Sequence, residues 1–400
     1  MRKVVFVLLW GLVFIIPWEG IFVVEEFATM ARLLGAGVFG AAIVAVVASA
    51  SLRRLSAGFI PLTAFVLWSC LTLAWTIVPE ESMVRAETYL LLLTMVWLIW
   101  EFAPSLKAQR SLMWAFVLGC SMIMVAVYVQ FFLGEDVPGM RYAAPSTNPN
   151  GVALCAIFVI CFLLYVMNTL GRGLRIASWC SIFACGLAAL LTGSRSGIGG
   201  LLICALLSLA SFRRIGWGQA LAILFCVLGV WFLVPQGVVE QLAVRVGQSE
   251  RSRAFEVRQE AWVAGLRTWE LNPLLGVGAG SYPTASERGG GPPLVAHNTF
   301  IEVLVEDGVI GLGIFLVMCL TFLRLVWRMP PRERGLWITL LGSFGPNWVV
   351  GSVEYFKDTW LIFALILAQS GAFRRAQLPG AGRARAAAAE ATPVEKRHAG

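Results

Sequence analysis

Apolar runs of about 20 residues follow one another along most of this chain, separated by short polar connections. Roughly 20 residues is the length an α-helix needs to cross the hydrocarbon core of a bilayer. The pattern predicts about twelve such spans, near 4–17, 33–51, 58–78, 88–104, 111–133, 150–169, 174–192, 197–212, 217–235, 308–327, 335–350 and 358–373. One interval breaks the rhythm: from Pro235 to Asp307 the chain is polar. Within it, Ala254 to Glu270 has helical periodicity. On a wheel of about 100° per residue, Phe255, Trp262, Leu266 and Trp269 form one apolar stripe, with Glu256, Glu260 and Arg267 on the other side. Arg258 falls at the edge of the stripe, near Trp262 and Trp269. The fold class is therefore all-α: a polytopic membrane helix bundle with one large, partly helical loop. The expected organisation is membrane helices one to nine in 1–235, the loop in 236–307, helices ten to twelve in 308–373 and a tail in 374–400.

Composition supports that class. The chain is 58% hydrophobic and only 14% charged, against roughly 25% charge in soluble domains. The run from Val4 to Pro17 follows Arg2 and Lys3, as in a signal peptide, but Trp18, Glu19 and Gly20 give no small-residue cleavage pattern, so it counts as the first span. All nine cysteines sit in apolar runs, which reads as small hydrophobes in a bundle and not as a disulfide framework.

The basic residues set the orientation. One set of connections carries Arg2, Lys3, Arg53, Arg54, Lys107, Arg110, Arg172, Arg175, Arg213, Arg214, Arg324, Arg328, Arg332, Arg334, Arg374 and Arg375. With Arg383, Arg385, Lys396 and Arg397 of the tail, this side holds 20 of the 31 basic residues. By the positive-inside rule both termini are cytoplasmic and the long loop is outside. The net charge of +8 is thus a topology signal and no nucleic-acid footprint. From Leu378 on, the Ala/Gly/Arg-rich tail has no apolar periodicity and reads as disordered.

Most of the outside arginines do nothing for topology. Arg141 lies in Pro138-Gly139-Met140-Arg141-Tyr142, and Arg195 in the tight turn Thr192-Gly193-Ser194-Arg195-Ser196-Gly197. A charge in so short a turn sits near membrane depth, where it is costly and usually functional; the plain alternative is snorkelling to headgroup phosphates. Arg258 beside aromatics calls for an anionic partner or a stack on Trp262. Asn272-Pro273-Leu274-Leu275-Gly276-Val277-Gly278-Ala279-Gly280 lacks the strand–helix frame of a dinucleotide site and reads as a backbone turn. His297, the only histidine besides His398 of the tail, follows a Gly289-Gly290-Gly291-Pro292-Pro293 tract and precedes a helical segment carrying Glu302, Glu306 and Asp307. One histidine without a nearby cysteine does not make a zinc site.

Taken in order, the turn around Arg195, Arg258 four residues before Trp262, the Asn272 to Gly280 segment, and His297-Asn298 leading to Glu306-Asp307-Gly308 resemble the O-antigen ligase and polymerase superfamily of bacterial envelope glycosyltransferases. The motifs lie between about 141 and 312, and the middle position of Glu306-Asp307-Gly308 departs from the commonest pattern, in which a small or hydroxyl residue stands there. The resemblance implies an inner-membrane protein with a periplasmic loop. It implies transfer of a glycan from a polyprenyl pyrophosphate carrier to an acceptor hydroxyl on a glycan, lipid or protein, without metal, nucleotide or other cofactor. On that reading His297 is the general base or positions the acceptor. Arg195 and Arg258 hold the pyrophosphate, with Arg141 as a third, and Asn298 and Glu306 in support.

Two other classes have twelve spans available to them. A transporter of lipid-linked glycan is expected to carry ionisable residues at mid-span, and these are nearly absent from the apolar runs. A scaffold protein has no use for arginines in membrane-depth turns. Ligase and polymerase differ only in acceptor, which the sequence does not separate.

Overall fold

The computed structural model describes residues 1–21, 30–133, 141–144, 147–167, 169–211 and 248–376. The predicted span at 217–235, Arg213, Arg214, Arg245 and the tail lie outside these residues, as do the side chains of Arg251 and Arg253. Among the described residues the chain is helical and has no strand. The helices are α1 (Arg2–Ile15), α2 (Met30–Ser49), α3 (Phe59–Leu71), α4 (Pro79–Phe102), α5 (Leu106–Phe132), α6 (Pro149–Met167), α7 (Arg172–Leu191) and α8 (Arg195–Ser211). After the undescribed stretch come α9 (Gln248–Trp269), α10 (Tyr282–Arg288), α11 (Thr299–Trp327), α12 (Pro331–Phe344), the short α13 (Asn347–Val350) and α14 (Lys357–Ala376).

Six of these, α2, α4, α5, α6, α7 and α11, are long and apolar enough to cross a membrane by length and composition; α8 and the segment Phe59–Ala74 are shorter apolar helices. The protein is a multi-pass helical membrane protein. Its main core runs between α1, α4, α5, α6, α11, α12 and α14, with Phe116, Phe158, Phe162, Trp337 and Trp360 fully buried. Outward faces of α2, α5 and α11 keep Val47, Val129 and Leu320 exposed, the apolar surface a bilayer covers. The interruption at Gly345-Pro346 separates α12 from α13, as a proline that removes a backbone donor does.

Several helices outrun the apolar segments that predict them. α4 begins at Pro79, a residue suited to the first helical turn, and so carries Arg85 within the helix. α11 begins at Thr299 and breaks at Gly308 (φ 71°), where the tenth apolar run begins. The scarcity of charge in the apolar runs therefore did not carry over to the helices: Arg85, Glu302, Glu306 and Asp307 are helical residues near one end of the bundle.

The break in α11 has a cause in the loop. Val277 N–H and Gly278 N–H donate to the carbonyls of Val305 (3.0 Å) and Glu306 (2.9 Å), while Val309 and Ile310 N–H donate to those of Pro273 (3.0 Å) and Leu274 (3.3 Å). The segment 273–278 thus takes both sides of the hydrogen bonds that a continuous helix closes on itself, a recognised origin of kinks. Only glycine fits this exchange. A Cβ on Gly276 (φ 74°) would lie 2.3 Å from the Glu306 carbonyl oxygen, and one on Gly308 2.2 Å from that of Leu274.

Candidate functional site

The loop helix α9 packs through its smallest residues. Ala261, Ala264, Gly265 and Thr268 are buried, and a Cβ on Gly265 would lie 2.8 Å from the Tyr282 hydroxyl oxygen. The Tyr282 hydroxyl donates to the Ala261 carbonyl at 3.0 Å, and the Thr268 hydroxyl to that of Ala285 at 2.6 Å. Trp262, Leu266 and Trp269 of the predicted stripe pack beside this seam, against a small core of Val277, Tyr282, Ala285, Ala296 and Val305. Phe255 is half exposed and meets Trp262 edge-on.

This core seats His297. The Trp262 indole N–H donates to the Ala296 carbonyl at 2.6 Å. On the other side Asn298 caps α11, its side-chain oxygen accepting from the N–H groups of Phe300 (3.0 Å) and Ile301 (3.2 Å). Thr299 ties the same turn to the segment after α13, its N–H and hydroxyl both donating to the Gly351 carbonyl at 3.0 Å. Between these two anchors the His297 backbone is held at φ 47°, a left-handed conformation that costs about 1–2 kcal/mol in a residue with a side chain. The imidazole is half-buried and has no hydrogen-bond partner among the described residues. Burial first, and then the charge of Arg258, hold its pKa below 6.5, which keeps it neutral at pH 7.

Arg258 projects from the middle of α9, and Arg195 opens α8. The Arg258 guanidinium lies below its ordinary pKa because of burial and then the charge of Arg195. Arg258 is thus within electrostatic reach of both Arg195 and His297, although the three come from distant parts of the chain. No aromatic ring stacks on Arg258 and no carboxylate pairs with it among the described residues. A half-buried guanidinium with a second, exposed one in electrostatic reach forms a natural seat for a multivalent anion.

Arg141 stands one step back. Its Nη2 donates to the Asn150 side-chain oxygen at 2.7 Å and its Nε to the Thr192 carbonyl at 3.3 Å. It therefore clamps the turn that launches α8 to the start of α6. Gly193 (φ 59°) makes that turn, and Ser194 accepts from the Gly197 N–H at 3.1 Å.

The structure adds a group of residues that the sequence did not single out. Arg85 of α4 is buried among three carboxylates: Glu354 at 3.1 Å, Glu302 at 3.5 Å and Glu306 at 3.6 Å. Its guanidinium also covers the Tyr355 ring at 3.8 Å. Glu306 accepts from the Tyr282 N–H at 3.1 Å, and the Ser352 hydroxyl donates to Glu302. This cluster locks α4, the first half of α11, the start of α10 and segment 351–355 together. Glu306 and Asn298, expected in support of the site, are found in its frame: Glu306 is fully enclosed and bound to it, and the Asn298 oxygen caps the helix. Both hold the scaffold around His297. A signal was present, since Glu302 and Glu306 are four apart and share one helix face, but their partner lies more than 200 residues earlier in the chain. Among the described residues no group of three His, Cys, Asp or Glu side chains is arranged to hold a metal.

The family model described as Wzy_C, O-Antigen ligase, matches residues 180–316. That region contains Arg195, Arg258, His297, Glu302 and Glu306, whereas Arg85, Arg141 and Glu354 fall outside it. No curated protein matches the chain.

Proposed function

We propose that this chain, a member of the O-antigen ligase and polymerase superfamily, is an inverting, metal-independent glycosyltransferase. It moves a glycan from a polyprenyl pyrophosphate carrier to an acceptor hydroxyl. The reading is of the ligase type, with the acceptor on a lipid, glycan or protein. The protein sits in the bacterial inner membrane with about twelve spans. Both termini are cytoplasmic, and the loop 236–307 is periplasmic between helices one to nine (1–235) and ten to twelve (308–373); residues 374–400 form a cytoplasmic tail.

One observation carries this reading: Arg258 of the loop helix lies within electrostatic reach of both the His297 imidazole and the Arg195 guanidinium at the start of α8. In the reaction the acceptor hydroxyl gives its proton to the His297 imidazole, and its oxygen bonds to the anomeric carbon. The bond from that carbon to the pyrophosphate oxygen breaks with its electron pair staying on the pyrophosphate. Arg195 and Arg258 meet the charge that accumulates there, and donors aimed at developing charge supply several kcal/mol of barrier reduction, about 2.7–4 for a single donor. Attack opposite the leaving group inverts the anomeric centre. Burial and Arg258 keep His297 unprotonated and ready to accept, and Arg141 positions the Arg195 turn.

The test is transfer in vitro from purified carrier-linked glycan, with donor binding assayed separately. His297→Ala is expected to abolish transfer and leave donor binding within about twofold, because the arginines hold that end. Full transfer by His297→Ala overturns the assignment of the base. Inhibition by a chelator overturns metal independence.

A further inference from the structure

Arg258 and Arg267 are nine residues apart on α9, which puts them on opposite faces, about 180° and roughly 13 Å apart along the axis. Arg267 is exposed, as the helical wheel predicts, but it does not simply face open solvent. It lines a cavity of about 420 Å³ together with Trp75, Ile77, Leu271, Asn272 and Arg288. That volume falls within the range of small-ligand sites, roughly 300–1,000 Å³. The backbone of Gly289 forms part of the wall, and its carbonyl receives a long hydrogen bond of 3.4 Å from Arg267. Neither Arg267 nor Arg288 has an ion-pair partner among the described residues. Two exposed guanidinium groups that converge on one cavity, with no carboxylate to neutralise them, favour a phosphate.

The rim of the cavity indicates where that phosphate comes from. Leu271 of the lining is 84% exposed, and Leu274, in the chain between the lining residues Asn272 and Gly276, is 60% exposed, far more than large aliphatic residues beside a water-facing site need be. The Pro273 and Leu274 carbonyls accept from Val309 and Ile310, the first residues of the apolar half of α11. Those two side chains are themselves exposed. The cavity therefore lies level with the start of a membrane-length apolar helix. Trp75 bounds it, and indoles are enriched where a membrane protein meets the headgroup region.

We propose that this cavity is a second lipid site, separate from the Arg258 face, which binds the phosphate of an anionic membrane lipid between Arg267 and Arg288. The headgroup lies against Trp75, and the acyl chains run past Leu271 and Leu274 into the bilayer. The site holds a lipid beside the loop and so fixes the height of α9 over the membrane. The proposal needs no glycan transfer and is tested without it.

The full chain, purified in neutral detergent, is exposed to photoactivatable phosphatidylglycerol or phosphatidylcholine, and the adducts are mapped by peptide mass. Adducts from phosphatidylglycerol are expected at Trp75 and within 267–289. In the R267Q/R288Q variant their yield should fall by at least about tenfold, while adducts elsewhere on the protein persist. An excess of inorganic phosphate should compete only weakly, since it lacks the apolar part. Equal labelling of the variant, or equal labelling by phosphatidylcholine, overturns the site. Full displacement by millimolar inorganic phosphate overturns its lipid character. Both substitutions are at exposed positions, and an unchanged gel-filtration profile shows that any loss is not a failure to fold.

Discussion

Removing Arg85 should destabilise the protein more than removing any other single charge among the described residues. The guanidinium faces three carboxylates at 3.1, 3.5 and 3.6 Å and the Tyr355 ring at 3.8 Å. Arg85→Met fills much of the volume but leaves the carboxylates buried without their cation. Breaking a buried ion pair from one side costs about 3–5 kcal/mol, because the remaining charge is uncompensated. For a chain of this length the unfolding entropy is on the order of 0.8 kcal/mol/K, so the apparent Tm should fall by about 4–6 °C. The assay is thermal unfolding of the purified protein in detergent, followed by intrinsic tryptophan fluorescence at a fixed scan rate. A second arm tests the cause. Adding Glu302→Gln and Glu306→Gln to Arg85→Met removes two of the stranded charges and keeps the acceptors for Ser352 and the Tyr282 N–H, so it should recover part of the loss. An unchanged Tm in Arg85→Met, or a triple variant less stable than the single one, would refute the reasoning.

At the reacting centre, Arg195→Ala and Arg258→Ala should each lower transfer by about 100-fold or more at normal membrane levels, and the Lys variants should recover little, since a point charge does not reproduce the bidentate fork. Gln259→Ala, next to Arg258 but exposed, should retain transfer within about twofold; equal losses at 258 and 259 would point to helix damage instead. The acid limb of the pH profile should lie below pH 6.5, because a depressed imidazole pKa keeps the base active to lower pH than a free histidine. The same shift works on stability: the unfolded chain binds the His297 proton more tightly, so its contribution is fully present above pH 6.5 and declines as pH falls through the depressed value. Gly276→Ala should lower both stability and transfer, with a cost above about 1 kcal/mol from the left-handed backbone alone and more from the contact with the Glu306 carbonyl; normal levels and activity would contradict the inserted-segment geometry.

The sequence by itself determined the membrane class and the helical fold, because bilayer length and positive-inside bias are one-dimensional signals that need no partner. It also singled out Arg195, Arg258 and His297, since a charge in a tight turn, a guanidinium beside an aromatic stripe and a histidine before a helix are each visible locally. It placed Arg267 correctly on the far side of α9. What it did not disclose is contact between distant segments. The Arg85 cluster joins α4 to α11 and the segment after α13, and no periodicity in any one of them records the other two. The seam of α9 runs through Ala261, Ala264 and Gly265, which carry little hydrophobic weight on a wheel but permit the closest approach of another backbone. Asn298 and Glu306 stand in the right motif, yet only the tertiary structure decided that their oxygens are bound to the frame, because a hydrogen-bonding group's role depends on which partner reaches it first. Likewise the break at Gly308 and the cavity behind Arg267 exist only once segment 273–278 has inserted its own backbone between the two halves of α11.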